Sequence, residues 1–248
     1  MKKLTASLLF FILGVMSYSL NFTVYPTRFE VDSKRVTTEE MTIVNNTNGP
    51  LRVEIYPEGD IEFGEEYNLN SNIKLFPKAV AVKPGGKQAV RFRVKPDVKM
   101  KDGEYRSYIT FKEIPYDIKS TVSEEKKEAE GVTTGINFIT EISIPVFSIG
   151  ENKIVKGEMS NFKYHYDGKD MTFSFDTKSE GNTAVIYKYS LKIDGEEPLE
   201  GILGYSKRDG EGKLEISMEL KEGLKGKSGT LRIYDQVNKE YFNQKIKL

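Results

Sequence analysis

The sequence predicts an all-β protein built as two β-sandwiches in tandem. Three observations carry that reading: apolar residues alternate with polar ones at period two, turn-forming clusters interrupt the alternation at short intervals, and no stretch shows the 3.6-residue apolar repeat of a helix. The alternation also restarts after Ser148-Ile149-Gly150-Glu151-Asn152, which divides the chain into residues 20–150 and 151–248. Both pieces fall within the usual size of an independent domain.

The elements follow in chain order. Lys2 and Lys3 precede an apolar run over residues 8–16 and then Ser17-Tyr18-Ser19, the pattern of an export signal cleaved after a small residue. The run is shorter than the roughly 20 apolar residues a membrane span needs. Residues 1–19 are therefore expected to be removed, leaving an exported chain with no stable membrane insertion. No cysteine follows the run to carry a lipid anchor.

The first domain opens with Phe22, Val24 and Tyr25-Pro26 running on to Phe29 and Val31 as one strand. Further strands are expected at 41–44, 51–56, 73–76, 80–82, 89–94, 105–114 and 136–147. Between them stand turns such as Asn45-Asn46-Thr47-Asn48-Gly49-Pro50, Lys83-Pro84-Gly85-Gly86 and Lys101-Asp102-Gly103. Short strands of this number and spacing suggest an immunoglobulin-like sandwich. In the second domain the expected strands are 154–166, 171–175, 184–193, 199–205, 214–220, 229–234 and 241–248. Their turns are Asp167-Gly168, Glu180-Gly181-Asn182, Asp194-Gly195, Asp209-Gly210-Glu211-Gly212 and Lys225-Gly226-Lys227.

Residues 117–131 break the pattern, being charged and almost free of apolar side chains, and predict a long loop. Directly after it Val132, Thr134, Ile136 and Phe138 alternate with polar residues. An apolar strand fed by such a loop is an aggregation liability unless something pairs with its edge.

Composition narrows the chemistry. With no cysteine and a single histidine, His165, the chain offers no thiolate, disulfide, zinc or iron–sulfur site. Charge is balanced at 37 basic and 37 acidic residues, and losing Lys2 and Lys3 leaves 35 against 37, a formal charge of −2. That balance argues against a broad nucleic-acid-binding face. His165 lies between Tyr164 and Tyr166 with no nucleophile beside it, and reads as an exposed strand-end residue. Gly226-Lys227-Ser228 would end a phosphate-binding loop only if glycine stood at Lys221. Glu39-Glu40, Glu65-Glu66 and Glu196-Glu197 are adjacent pairs, so on strands they point to opposite faces and cannot act together on one substrate. Asn21-Phe22-Thr23 and Asn45-Asn46-Thr47 fit the glycosylation sequon. Nothing predicts an enzyme, a metal or a cofactor, or a small-molecule substrate.

Four stretches resemble the PapD-like periplasmic chaperones of fimbrial assembly. They are Tyr25-Pro26-Thr27-Arg28-Phe29, then 84–92 (Pro-Gly-Gly-Lys-Gln-Ala-Val-Arg-Phe), then 102–115 ending in Glu113-Ile114-Pro115, and last the polar loop and alternating strand after Pro115. The resemblance implies a periplasmic protein without catalysis or cofactor. Its partners would be pilus or fimbrial subunits, which it caps by lending a strand, and an outer-membrane usher that receives them. The lent strand would present Val132, Thr134, Ile136 and Phe138. Arg28 matches the family's arginine that holds the subunit's terminal carboxylate. The companion lysine does not carry over: Ser143 falls at its position, so the second contact would be a hydroxyl or some other cation. Glu104 matches the acidic residue that bridges the domains, while its usual arginine partner falls on Phe147. These departures suggest a divergent member. A secreted structural or adhesive tandem sandwich without a client stays open, and so does a carbohydrate-binding module using Tyr164 and Tyr166.

Overall fold

The computed structural model describes residues 20–97, 100–115 and 139–248. Among them the chain is all-β, with two sandwiches and one short 3₁₀ turn at Glu65–Tyr67.

The first sandwich contains β1 (Phe22–Tyr25), β2 (Phe29–Asp32), β3 (Thr37–Asn45), β4 (Leu51–Gly59), β5 (Ile73–Phe76), β6 (Ala79–Val82), β7 (Lys87–Val94), β8 (Tyr105–Glu113) and β9 (Glu141–Ile149). One sheet has the order β1-β3-β7-β5 and the facing sheet the order β2-β9-β8-β4-β6. The single opening strand expected from the sequence is split. Proline at 26 withholds an N–H from the ladder, and after the cis Tyr25–Pro26 bond the chain leaves β3 and joins β9 on the opposite sheet. The alternation slips by one residue across the switch, an odd step from Val24 to Phe29, and Phe22, Val24, Phe29 and Val31 all point inward. They meet Met41, Ile43, Val90 and Phe92 of one sheet and Val53, Ile55, Ile109, Phe111, Ile144 and Val146 of the other. Each such side chain contributes roughly 1.5–3 kcal/mol by leaving water.

Asn45, 1% exposed, donates Nδ2 to the carbonyls of Gly49, Val82 and Lys83. It is a turn-tying core residue, and its burial removes it as a glycosylation acceptor.

The second sandwich contains β10 (Gly157–Tyr166), β11 (Asp170–Ser179), β12 (Ile186–Ile193), β13 (Leu199–Tyr205), β14 (Gly210–Glu219), β15 (Ser228–Tyr234) and β16 (Glu240–Lys247). Its sheets are β10-β11-β14 and β13-β12-β15-β16. Met171, Phe173 and Phe175 face Tyr187, Leu191, Leu231 and Ile233 in a core distinct from the first. One expected turn is corrected here: Gly210-Glu211-Gly212 opens β14, paired with residues 177–179 of β11, because glycine tolerates the positive φ of 88° at Gly210 that lets the strand begin there. Likewise residues 154–156 precede β10 and residues 139–140 precede β9, where the sequence predicted strand.

Candidate functional site

The two sandwiches meet along a cleft of about 750 Å³. Its first wall is the outer face of β2, β9 and β8. Arg28, the residue before β2, points outward with its guanidinium carbon 4.0 Å from the centroid of the Phe147 ring on β9. Its Nη2 and Nε donate to one oxygen of Glu30, at 2.7 and 3.1 Å, since residues two apart on a strand share a face. The side chain is 56% exposed. Nη1 makes no hydrogen bond among the described residues, which leaves a donor free toward the cleft.

Phe147 stands opposite Arg106 in the β8–β9 ladder. Arg106 is 13% exposed and donates to Asp60 Oδ2 and Glu104 Oε1, both at 3.2 Å, while its guanidinium lies over the rings of Phe63 and Phe147 at 4.3 and 4.9 Å. Its Nε is buried without a partner. Tyr108 also donates to Asp60, and burial together with the Asp60 carboxylate raises the Tyr108 hydroxyl above the usual tyrosine range.

Glu104 spans the domains. Its Oε2 accepts from Thr183 Oγ1 at 2.5 Å and from the Ala184 amide at 3.3 Å, both in the second domain. The arginine beside it, Arg106, comes from two residues along its own chain segment. From the other side Arg208, 4% exposed, donates to the carbonyls of Glu104 and Asp102 at 2.8 and 3.2 Å and stacks on Tyr67 and Tyr105. Gly103 makes this approach possible: a Cβ there would lie 2.4 Å from the Asn182 carbonyl.

Ser143 stands apart from this constellation. Its hydroxyl shares a 3.0 Å hydrogen bond with Thr110, which donates to Glu58, and the residue does not line the cleft. Four residues of extended strand, about 13 Å, separate it from Phe147. Two cations that do line the cleft, Arg106 and Lys153, were not assigned from sequence. Arg106 had a local signal, since the Glu-x-Arg spacing of Glu104 and Arg106 puts both on one strand face. Lys153 sits in the boundary segment and carried none.

The second part of the site is a sheet edge. The parallel partner β2 covers only residues 146–149 of β9, through the pairs Phe29↔Val146 to Asp32↔Ile149. Residues 141–145 pair with β8 on one side, and among the described residues no strand pairs with the other. Pro145, which lacks an N–H, ends this open stretch next to the position of Arg28. Val132, Thr134, Ile136 and Phe138 lie outside the described residues.

His165 is exposed on β10 opposite Thr172. Tyr164 is exposed, and Tyr166 is half-buried, donating to the Gly168 carbonyl. Among the described residues no three His, Asp or Glu side chains are placed to hold a metal ion, and no helix is long and apolar enough to cross a membrane.

No protein-family model matches the chain, and no curated protein matches it in sequence. Solved structures match it in fold. The YadV chaperone aligns over 92% of this chain and 100% of its own at 10% identity, with a TM-score of 0.50. The SafB chaperone, in its complex with the Salmonella enterica SafA pilin, aligns over 94% and 98% at 14% identity and a TM-score of 0.46. The CsuC–CsuE chaperone–tip subunit complex of Acinetobacter baumannii aligns over 92% and 97% at 15% identity and 0.46. The chain therefore has the two-sandwich fold of the YadV chaperone.

Proposed function

We propose that this chain is a divergent PapD-like chaperone of the periplasm. It binds and caps fimbrial or related surface-fibre subunits by donor-strand complementation, then delivers them to an outer-membrane usher, without catalysis or cofactor. Residues 1–19 are its export signal, 20–150 its strand-lending domain and 151–248 its second sandwich.

The observation that carries this reading is the open edge of β9, which ends at Arg28. An incoming strand finds backbone groups along residues 141–145 that no strand among the described residues pairs, continuous in sequence with the apolar alternation of Val132, Thr134, Ile136 and Phe138. Backbone hydrogen bonds then supply affinity and the alternate side chains supply specificity. Where β2 begins, the edge closes, so the bound strand must stop there. Arg28 stands at that stop with Nη1 free to take a terminal carboxylate. In this reading Ser143, on the open edge itself, contacts the body of the strand rather than its end.

The test is capture of a fimbrial subunit, or of its C-terminal peptide, by the purified chain. Arg28→Ala removes a charge-assisted contact of about 1.5–3 kcal/mol and weakens binding roughly 10- to 100-fold. Ile136→Asp abolishes capture while circular dichroism stays that of the parent. Parent-like binding by both variants refutes strand lending. No capture of any subunit favours the clientless structural protein.

A further inference from the structure

The charge of the cleft does not suit a plain carboxylate. It is lined by three cations, Arg28, Arg106 and Lys153, and by four carboxylates, Glu30, Asp60, Glu62 and Glu104. The internal pairs decide what a ligand meets. Arg106 is taken up by Asp60 and Glu104. Arg28 is held by Glu30. Lys153 and Glu62 make no ion pair or hydrogen bond among the described residues. The site thus carries one carboxylate more than it carries cations, and the arginine facing the open edge already has an acid on it. A peptide end bearing only its terminal carboxylate can take the Nη1 of Arg28, but it then sets its own charge beside that of Glu30 on the same guanidinium.

We infer that the cleft selects a client whose last two or three residues include a cationic side chain next to the terminal carboxylate. This rests on the reading of Arg28 as the carboxylate anchor. The carboxylate takes Arg28, and Lys153 of the boundary segment is the cation of the cleft without an acidic partner among the described residues. The client's cation takes Glu30, crowded by the incoming carboxylate, and Glu62, which has no cationic partner among the described residues. Every charge in the filled cleft then has an opposite neighbour, which is the condition under which charged groups discriminate between partners. The client's terminus is the fifth carboxylate in the filled cleft, and an acidic penultimate residue would add a sixth and weaken binding.

The experiment uses the purified chain and synthetic ten-residue peptides of alternating Val and Ser with a free C-terminal carboxylate. The penultimate residue is Lys, Ala or Glu, and a fourth peptide is the Lys form with an amidated end. Fluorescence anisotropy at low salt reads the dissociation constants. The Lys peptide should bind about two- to five-fold tighter than the Ala peptide, and the Glu peptide should be weaker by a similar factor. In the Glu30→Gln/Glu62→Gln variant the three should converge. Equal binding of the Lys, Ala and Glu peptides, with the amidated peptide weaker, overturns the inference and leaves the carboxylate anchor standing. A Lys preference that persists in the double variant overturns it too. Amidated and free peptides binding alike, or no peptide binding at all, rejects the anchor and the inference together.

Discussion

Replacing Arg208 by Met keeps an apolar stem and removes the guanidinium that pins the second sandwich to the first. The parent side chain donates to the carbonyls of Glu104 and Asp102 and covers the rings of Tyr67 and Tyr105 at 4.0 and 4.6 Å. Two hydrogen bonds from a charged donor contribute about 1.5–3 kcal/mol each, and two partly desolvated ring contacts about 1 kcal/mol each. Against this stands the cost of holding a guanidinium out of water, several kcal/mol. The balance is a loss of about 3 kcal/mol, which for a chain of this size lowers the melting temperature by about 6–12 °C. The loss falls on the domain contact and not on either core. Differential scanning calorimetry should therefore show one transition for the parent and two for the variant, and limited proteolysis should cut the variant faster between residues 149 and 156. A variant that melts within 2 °C of the parent with an unchanged cleavage rate refutes the assignment of Arg208 as the clasp.

Gly103→Ala tests the same contact from the other side. It forces a Cβ into the Asn182 carbonyl at a φ of 134°, and a cost of about 2–4 kcal/mol should again appear as early separation of the domains in the calorimeter; parent-like melting would sink the close-approach argument. Asp102 accepts from the Asn152 side chain and from the Asn152 and Gly103 amides, which hold its carboxyl below the usual value of 3.8. Its stabilising effect is complete above that value and is lost as pH falls through the lowered one. A carboxyl titration by NMR with a midpoint at or above 3.8 would contradict this. Burial and the Asp235 carboxylate raise the Tyr241 hydroxyl far above its usual range. Stability from that hydroxyl is complete below pH 10 and disappears above it, so Tyr241→Phe should flatten the alkaline limb of the unfolding curve. An alkaline limb identical to the parent's would exclude Tyr241 as its source.

The all-β architecture was legible because alternation is a local property, readable in runs such as Ile43, Met41, Val90 and Phe92 without knowing their partners. Arg28 and Glu104 were legible through motif resemblance, which carries position but not surroundings. What the sequence hid is non-local. Arg208 sits in a Lys-Arg-Asp turn indistinguishable from a solvated surface, and only the folding of Asp102 and Glu104 against it, more than a hundred residues away, makes it buried. The split of the opening strand showed only as a slip of one residue in the alternation between Val24 and Phe29, which the proline and polar residues between them mask. Motif resemblance likewise gives Ser143 a strand position and no surroundings; the ladder puts it opposite Thr110, away from the cleft that Lys153 and Arg106 line.

Phe147 is shared by two guanidiniums, those of Arg28 and Arg106, and Arg106 is bonded to Glu104, which reaches the second sandwich. A single aromatic ring thereby joins the exposed end of the β9 edge to the inter-sandwich contact. Phe147→Ala would therefore take from both arginines at once the surface on which they rest, at the end of the edge and beside the contact between the sandwiches.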